Sequence, residues 1–169
     1  MLSGVVFRRA GSGDAAALAT LLTEANRHYW GDTAGAESDA QATAAALLGG
    51  GSGCQTLLAW RGDQPCGFAT YTLLHPAPSA RGTLFMKDLF IAATARNAGL
   101  GRAFMRHLAG LAAAQGCTRF DWTAESDNPR AIDFYRALGA ETVTEKVYFR
   151  LTGAALARTA RKARAADLP

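Results

Sequence analysis

The string Arg96-Asn97-Ala98-Gly99-Leu100-Gly101 lies where an apolar strand pattern gives way to a helical one. Its glycines let the main chain turn tightly and let a ligand come close to it. The first amides of a helix have no partner within it and point outward with partial positive charge, which suits phosphate oxygens. Arg96, Arg102 and Arg106 add cationic donors, so the string fits a phosphate-binding turn. An ordinary turn that happens to hold two glycines fits it as well. No Gly-Lys-Ser or Gly-Lys-Thr follows, and the G-x-G-x-x-G spacing is absent, so neither a nucleoside-triphosphate loop nor a dinucleotide fingerprint is present. A second reactive group stands just upstream. Asp88 interrupts the apolar run from Thr83 to Ile91, and a carboxylate there is costly unless it has a partner or a job. Strand alternation puts it on the face of Phe90, away from Leu89 and Ile91. It suits cation binding or proton abstraction, or else a structural pairing with Lys87 or a nearby arginine. Glu125 and His75 are weaker candidates for a base.

The elements that must position these groups follow from periodicity and punctuation. Residues 5–10 read as a short strand. Asp14 then caps a helix whose stripe is Leu18, Leu22, Ala25 and Tyr29. Residues 30–37 read as a loop. Ser38 to Gln41 has capping-box form before a helix through Leu48, which Gly49, Gly50, Gly51 and Gly53 end. Residues 54–61 and 66–74 form a hairpin around Gly62-Asp63-Gln64-Pro65. His75 to Pro78 is a loop, and residues 83–91 are a third strand. The next helix carries Leu100, Phe104, Leu108 and Leu111 on one stripe, with Gly116 at its end. Residues 117–124 are a strand. Asn128-Pro129 starts a helix bearing Ala131, Phe134, Tyr135 and Leu138, which Gly139 stops. Two further strands are expected around Val143 and over 147–151. Strands grouped ahead of a β–α–β unit predict a mixed α/β (α+β) sheet with helices on its faces.

Composition narrows the class. With 49% apolar and 19% charged residues the chain is globular rather than disordered. No apolar run reaches the roughly 20 residues of a membrane helix. The first residues place arginines after a very short apolar stretch, unlike a secretory signal, so a soluble, cytoplasmic protein is expected. Cys54, Cys66 and Cys117 are odd in number and far apart and read as buried reduced thiols. With His28, His75 and His107 they offer no metal-ligand spacing, so no metal is expected. Part of the +4 net charge comes from Arg158, Arg161, Lys162 and Arg164, opposed there by Asp167. This is read as a solvated basic tail over 153–169, beyond a domain spanning 1–152. Basic and aromatic residues do not interleave along the strands and no helix-turn-helix pattern stands out, so no nucleic-acid partner is expected.

Leu84 to Ala140 resembles the core of the GNAT acetyltransferase superfamily. There an R/Q-x-x-G-x-G/A loop follows a strand ending in Val or Ile; here Ile91 stands five residues before Arg96. The family's N-x-x-A-x-x-F-Y-x-x-x-G-F pattern is met by Asn128, Ala131, Phe134, Tyr135 and Gly139, with Ala140 in place of the final Phe. The resemblance implies the acyl-CoA N-acyltransferase fold, a twisted and mostly antiparallel mixed sheet of about seven strands with about four helices. It implies acetyl-CoA as donor. The pyrophosphate would be held along Arg96, Asn97, Ala98, Gly99, Leu100, Gly101 and Arg102. The pantetheine would lie along Leu89, Phe90 and Ile91, bonded to the backbone of Leu89 and Ile91 and met by Asn128. Tyr135 would stand near the thioester sulfur. A tyrosine there, protonated at neutral pH, suits the role of general acid to the departing thiolate. Asp88 would contact the acceptor or take its proton.

The run from Met86 to Ile91 and the later motif are similar to the diamine and polyamine branch. That branch carries a Glu-Asp pair on this strand, whereas Lys87 precedes Asp88 here. A cation at that place repels a polycation, so the acceptor is expected to be a small-molecule amine such as an amino acid or its analogue. Asn26 to Tyr29 resembles the helix end that borders the branch's acceptor site, which implies substrate contact for His28 and Tyr29. A protein N-acetyltransferase and a non-catalytic CoA-binding module are the alternatives. Dimers are common in the family, so a homodimer is one assembly the resemblance allows.

Overall fold

The computed structural model describes residues 2–31, 35–77 and 81–161. It divides into two compact units, Met1–Asp127 and Asn128–Pro169, and each is described by itself. In the first unit β1 (Val5–Arg9), β2 (Gln55–Arg61), β3 (Gln64–Ala77), β4 (Arg81–Ile91) and β5 (Arg119–Trp122) form one sheet in that order. The first four strands run antiparallel and β5 runs parallel to β4. The parallel step follows the crossover through α3 (Leu100–Ala114). The helices α1 (Ala15–Trp30) and α2 (Glu37–Leu48) connect β1 to β2.

The sheet is covered on both faces. Leu58, Phe68 and Phe90 lie in one cross-strand row and share a buried cluster with Leu18, Leu21 and Ala25 of α1 and Ala44 of α2. Phe7 is opposite Ala59, the neighbour of Leu58, so it faces the other way. There it meets Phe104 of α3 edge-on at 4.9 Å. The α3 stripe of Leu100, Phe104 and Leu108 is buried as its spacing predicts.

Three local expectations are corrected. Asp14 stands at the N-cap of α1 as expected, but its side chain makes no capping bond there. It closes the short turn ahead of that helix, accepting from the Gly11 amide at 2.8 Å and from Arg8 Nη1 and Nη2 at 2.7 and 2.6 Å. The Arg8 hydrogen bond holds its carboxyl below the usual aspartate range. Helix α2 begins at Glu37, and Asp39 reaches back to the Ala36 amide at 3.1 Å, so the cap sits two residues earlier than Ser38. Strand β3 runs on through His75 and Pro76, which read as loop, because β4 starts early enough to pair with it at Ala77 and Arg81.

The second unit contains α4 (Pro129–Arg136) and α5 (Gly153–Ala160). Asn128 caps α4, its Oδ1 accepting from the Ala131 amide at 3.1 Å, and Gly139 ends the segment at φ +89°. The strands expected near Val143 and over 147–151 are absent. A strand needs a ladder partner, and Val147, Tyr148 and Phe149 are 74%, 72% and 88% exposed. Among the described residues there are therefore five strands rather than about seven, and five α-helices rather than about four. Part of the basic tail forms α5, while Lys162, Arg164 and Asp167 lie outside the described residues.

Gly67 allows a close approach on which β4 depends. A Cβ there would lie 2.5 Å from the Phe90 carbonyl oxygen and 3.3 Å from the Ile91 Cα. Both are backbone atoms that cannot swing aside. Gly67→Ala is expected to cost about 1–3 kcal/mol, seen as a fall in Tm on the order of 5 °C.

Candidate functional site

The sequence pairs β3 and β4 residue for residue from Gly67 and Ile91 to Thr70 and Asp88, and then the register slips. Tyr71 is opposite Met86, so Lys87 is an extra residue on β4. Such a bulge re-aims side chains and breaks the alternation of faces. Lys87 and Asp88 are therefore both exposed, between buried Met86 and half-buried Leu89. Lys87 Nζ lies 3.4 Å from Asp88 Oδ1. Thr70 Oγ1 donates to Asp88 Oδ2 at 2.6 Å. The expected structural partner and the open carboxylate thus coexist, because Asp88 keeps half its side-chain surface, 49%.

The other edge of β4 changes character at the same point. Its pairing with β5 runs from Thr83 to Met86 and stops. The Ala92 amide donates to the Cys66 carbonyl of β3 at 2.9 Å. Main-chain groups alternate along a strand, so those of Ile91 and Leu89 face away from β3, toward the edge that β5 has left. Among the described residues no strand pairs with this edge beyond Met86, so its free amides could take an extended ligand as a further strand.

The glycine string begins where that edge ends. A short 3-10 turn over Ala93–Ala95 leads to Arg96. Asn97 at φ +63° and Gly99 at φ +77° are left-handed, and Gly99 is the N-cap of α3. The amides of Leu100, Gly101 and Arg102 open a helix of fifteen residues and have no partner within it. Arg102 and Arg106 are exposed on its surface. Arg96, expected as a phosphate contact, is also tied to its own strand end. Its Nε donates to the Ile91 carbonyl at 3.1 Å and its guanidinium lies 5.6 Å over the Phe90 ring. It staples the loop back onto the strand end. Glu24 of α1 adds a second staple, its Oε1 accepting from the Ala93 amide at 2.7 Å. Nothing in the local sequence marks Glu24, since the bond joins residues 69 apart.

The end of α1 completes one side of the site. His28 and Tyr29 lie 6.1 and 6.4 Å from the Phe90 ring. Partial burial pushes the Tyr29 phenol above its ordinary pKa; the Asp88 charge adds to this and Arg96 opposes it. His28, Tyr29, Asp88, Phe90 and Arg96 therefore form one neighbourhood, an aromatic wall with a carboxylate beside it. Cys54 borders it. Burial pushes its thiol up first and Asp88 second. Sequence reasoning missed Thr70, a β-branched residue that reads as ordinary strand, and treated Cys54 only as a buried thiol. His75 stands elsewhere, packed on Gly82 beside Cys117 toward the other end of β4. In the second unit, Tyr135 is half-buried on α4, with its ring 5.1 Å from Phe134. Among the described residues no group of His, Cys, Asp or Glu could hold a metal, and no helix is long and apolar enough to cross a membrane.

Residues 15–140 match the model of the Acetyltransferase (GNAT) family. The chain is 27% identical over 105 residues to thialysine N-epsilon-acetyltransferase of Sus scrofa, covering 60% of this chain and 61% of that one. It is 31% identical over 90 residues to L-ornithine N5-acetyltransferase of Arabidopsis thaliana, covering 53% and 40%. The alignments thus span less than two thirds of these relatives. The structure of an integron cassette protein from the mobile metagenome of V. cholerae is similar at a TM-score of 0.89 and 39% identity, over 94% of this chain and 99% of that one.

The Arg96 staple is testable by itself. Arg96→Ala is expected to cost about 1–2 kcal/mol, from a charge-assisted bond and a cation–π contact. Amide exchange should rise over residues 92–99 and remain unchanged in β1 and β2.

Proposed function

The chain belongs to the acetyltransferase (GNAT) family, and from that premise we propose that it moves an acetyl group from acetyl-CoA to the primary amine of a small molecule. The observation that carries the reading is the junction at the end of β4. An open strand edge, a glycine-capped helix start and a carboxylate meet along the chain between Asp88 and Arg102. In this reading the diphosphate lies against the amides of Leu100 to Arg102, with Arg102 adding charge. The pantetheine lies along Leu89 and Ile91 as an added strand.

The acceptor enters beside His28, Tyr29 and Asp88. Its ammonium loses a proton to Asp88 or to solvent, and the free nitrogen attacks the thioester carbon. The C–N bond forms as the C–S bond breaks, and the proton that the acylated nitrogen then sheds goes to solvent or restores the Tyr135 phenol. Tyr135 is proposed as the donor that protonates the departing thiolate, and Asn128 as a pantetheine contact that also caps α4. The Ile91 amide, on the open edge, suits the developing oxyanion. Lys87 shapes the choice of acceptor. Its cation beside Asp88 disfavours polyamines and favours an amine that also carries a carboxylate. The names of the thialysine and ornithine enzymes accord with such an acceptor. The three free cysteines accord with a cytoplasmic setting.

Incubation with acetyl-CoA and a panel of amino acids, diamines and lysine peptides, followed by mass spectrometry, tests the reading. Acetylated amino acids are expected, with diamines poorer. Acetylated peptides alone would transfer the reading to a protein substrate. No acetylated product would leave a non-catalytic CoA-binding module. Tyr135→Phe should lower kcat on the order of 100-fold with binding of acetyl-CoA unchanged.

A further inference from the structure

We infer that Thr70 is a positioning residue for the acceptor site, acting through Asp88; this rests on the reading of Asp88 as the group that receives the acceptor ammonium. Thr56, Thr70 and Asp88 are directly opposite one another across β2, β3 and β4. They form the row next to Leu58, Phe68 and Phe90, on the face that α1 and α2 cover. Thr70 is 1% exposed, so its hydroxyl must find a protein partner or remain unsatisfied at a cost. It finds Asp88 Oδ2 at 2.6 Å. The hydroxyl is the donor and the carboxylate oxygen accepts.

That bond fixes the carboxylate of a residue that otherwise sits on a bulge with half its side chain in water. Without it, Asp88 can rotate about χ1 toward Lys87 or into solvent. With it, Oδ2 is held down against the sheet and Oδ1 is turned outward. The outward oxygen is the one that Lys87 approaches at 3.4 Å, a distance a mobile ammonium gives up readily. Thr70 thus decides which oxygen meets the incoming ammonium and where it stands relative to Tyr29 and Phe90.

Thr56 supplies an internal control. It is the same residue type, one strand over in the same row and equally buried at 2%, but its hydroxyl has no partner among the described residues. Replacing either threonine by valine swaps a buried hydroxyl for a methyl group. Only at Thr70 does the swap remove a bond to the site.

The experiment measures steady-state kinetics of acetyl transfer to the best amine of the panel for Thr70→Val, Thr70→Ser, Thr56→Val and Asp88→Asn. Thr70→Val is expected to raise KM for the amine roughly tenfold, the loss of one hydrogen bond to a charged group. Its KM for acetyl-CoA and its kcat should stay within about threefold of the native values. Thr70→Ser, which keeps the hydroxyl, and Thr56→Val should both resemble the native protein. If Thr70→Val folds poorly, Thr70→Ala is read by the same criteria. Equal KM values for Thr70→Val and Thr56→Val, with Asp88→Asn impaired, would overturn the role of Thr70 and leave that of Asp88 standing. An unimpaired Asp88→Asn would overturn the reading beneath it.

Discussion

The structure turns on one extra residue. At Lys87 the register of β4 against β3 shifts by one residue, and the pairing of β4 with β5 stops at the residue before it. Up to Met86 the strand has two neighbours; beyond it, only β3. Unpaired main-chain groups in a sheet are usually a hazard, open to any chance strand. Here the exposed stretch is only Leu89 to Ile91, and the chain frames it closely. Arg96 covers the Ile91 carbonyl, Glu24 ties down the loop that follows, and Phe90 anchors the strand among Phe68, Leu21 and Ala25.

Strand alternation beyond the bulge would let binding and chemistry share a strand. Ile91 and Leu89 present their backbone to the open edge, while Asp88 and Phe90 present side chains to the α1 face. A ligand lying along the edge therefore runs beside the carboxylate without competing for its surface. The end of α1 supplies the wall on that side through His28 and Tyr29. The aromatic surface and the carboxylate together suit an alkylammonium, which needs both an apolar contact for its chain and a charge for its head. Gly67 is the silent member of this arrangement, since its missing side chain lets β3 lie close to Phe90 and Ile91.

Much of this was legible in the sequence, for physical reasons. The glycine turn and the α3 stripe are local, and so are the Asn128 cap and the Gly139 stop; each rests on the conformational preferences of a few neighbouring residues. Asp88 stood out because a carboxylate in an apolar strand needs a reason. Non-local features did not show. A bulge depends on the partner strand as much as on its own, so strict alternation treats Lys87 as a regular member. Thr70 resembles any β-branched strand residue until Asp88 is seen opposite. The type and place of Arg96 suggest a ligand contact, and its bond to the carbonyl five residues before it could not be read from them. Asp14 looked like a helix cap, but Arg8 six residues away claims it first. The two late strands had the right residue types and lacked the neighbour that makes a strand.

In the proposed complex acetyl-CoA lies along the open edge of β4 and against the first turn of α3. Hydrogen exchange at individual amides, with and without saturating acetyl-CoA, reads that placement residue by residue. The expected result is new protection at Leu89 and Ile91 and at Leu100 to Arg102, with β1 and β2 unchanged. Failure of acetyl-CoA to bind, or binding that leaves those amides exchanging as before, would contradict it.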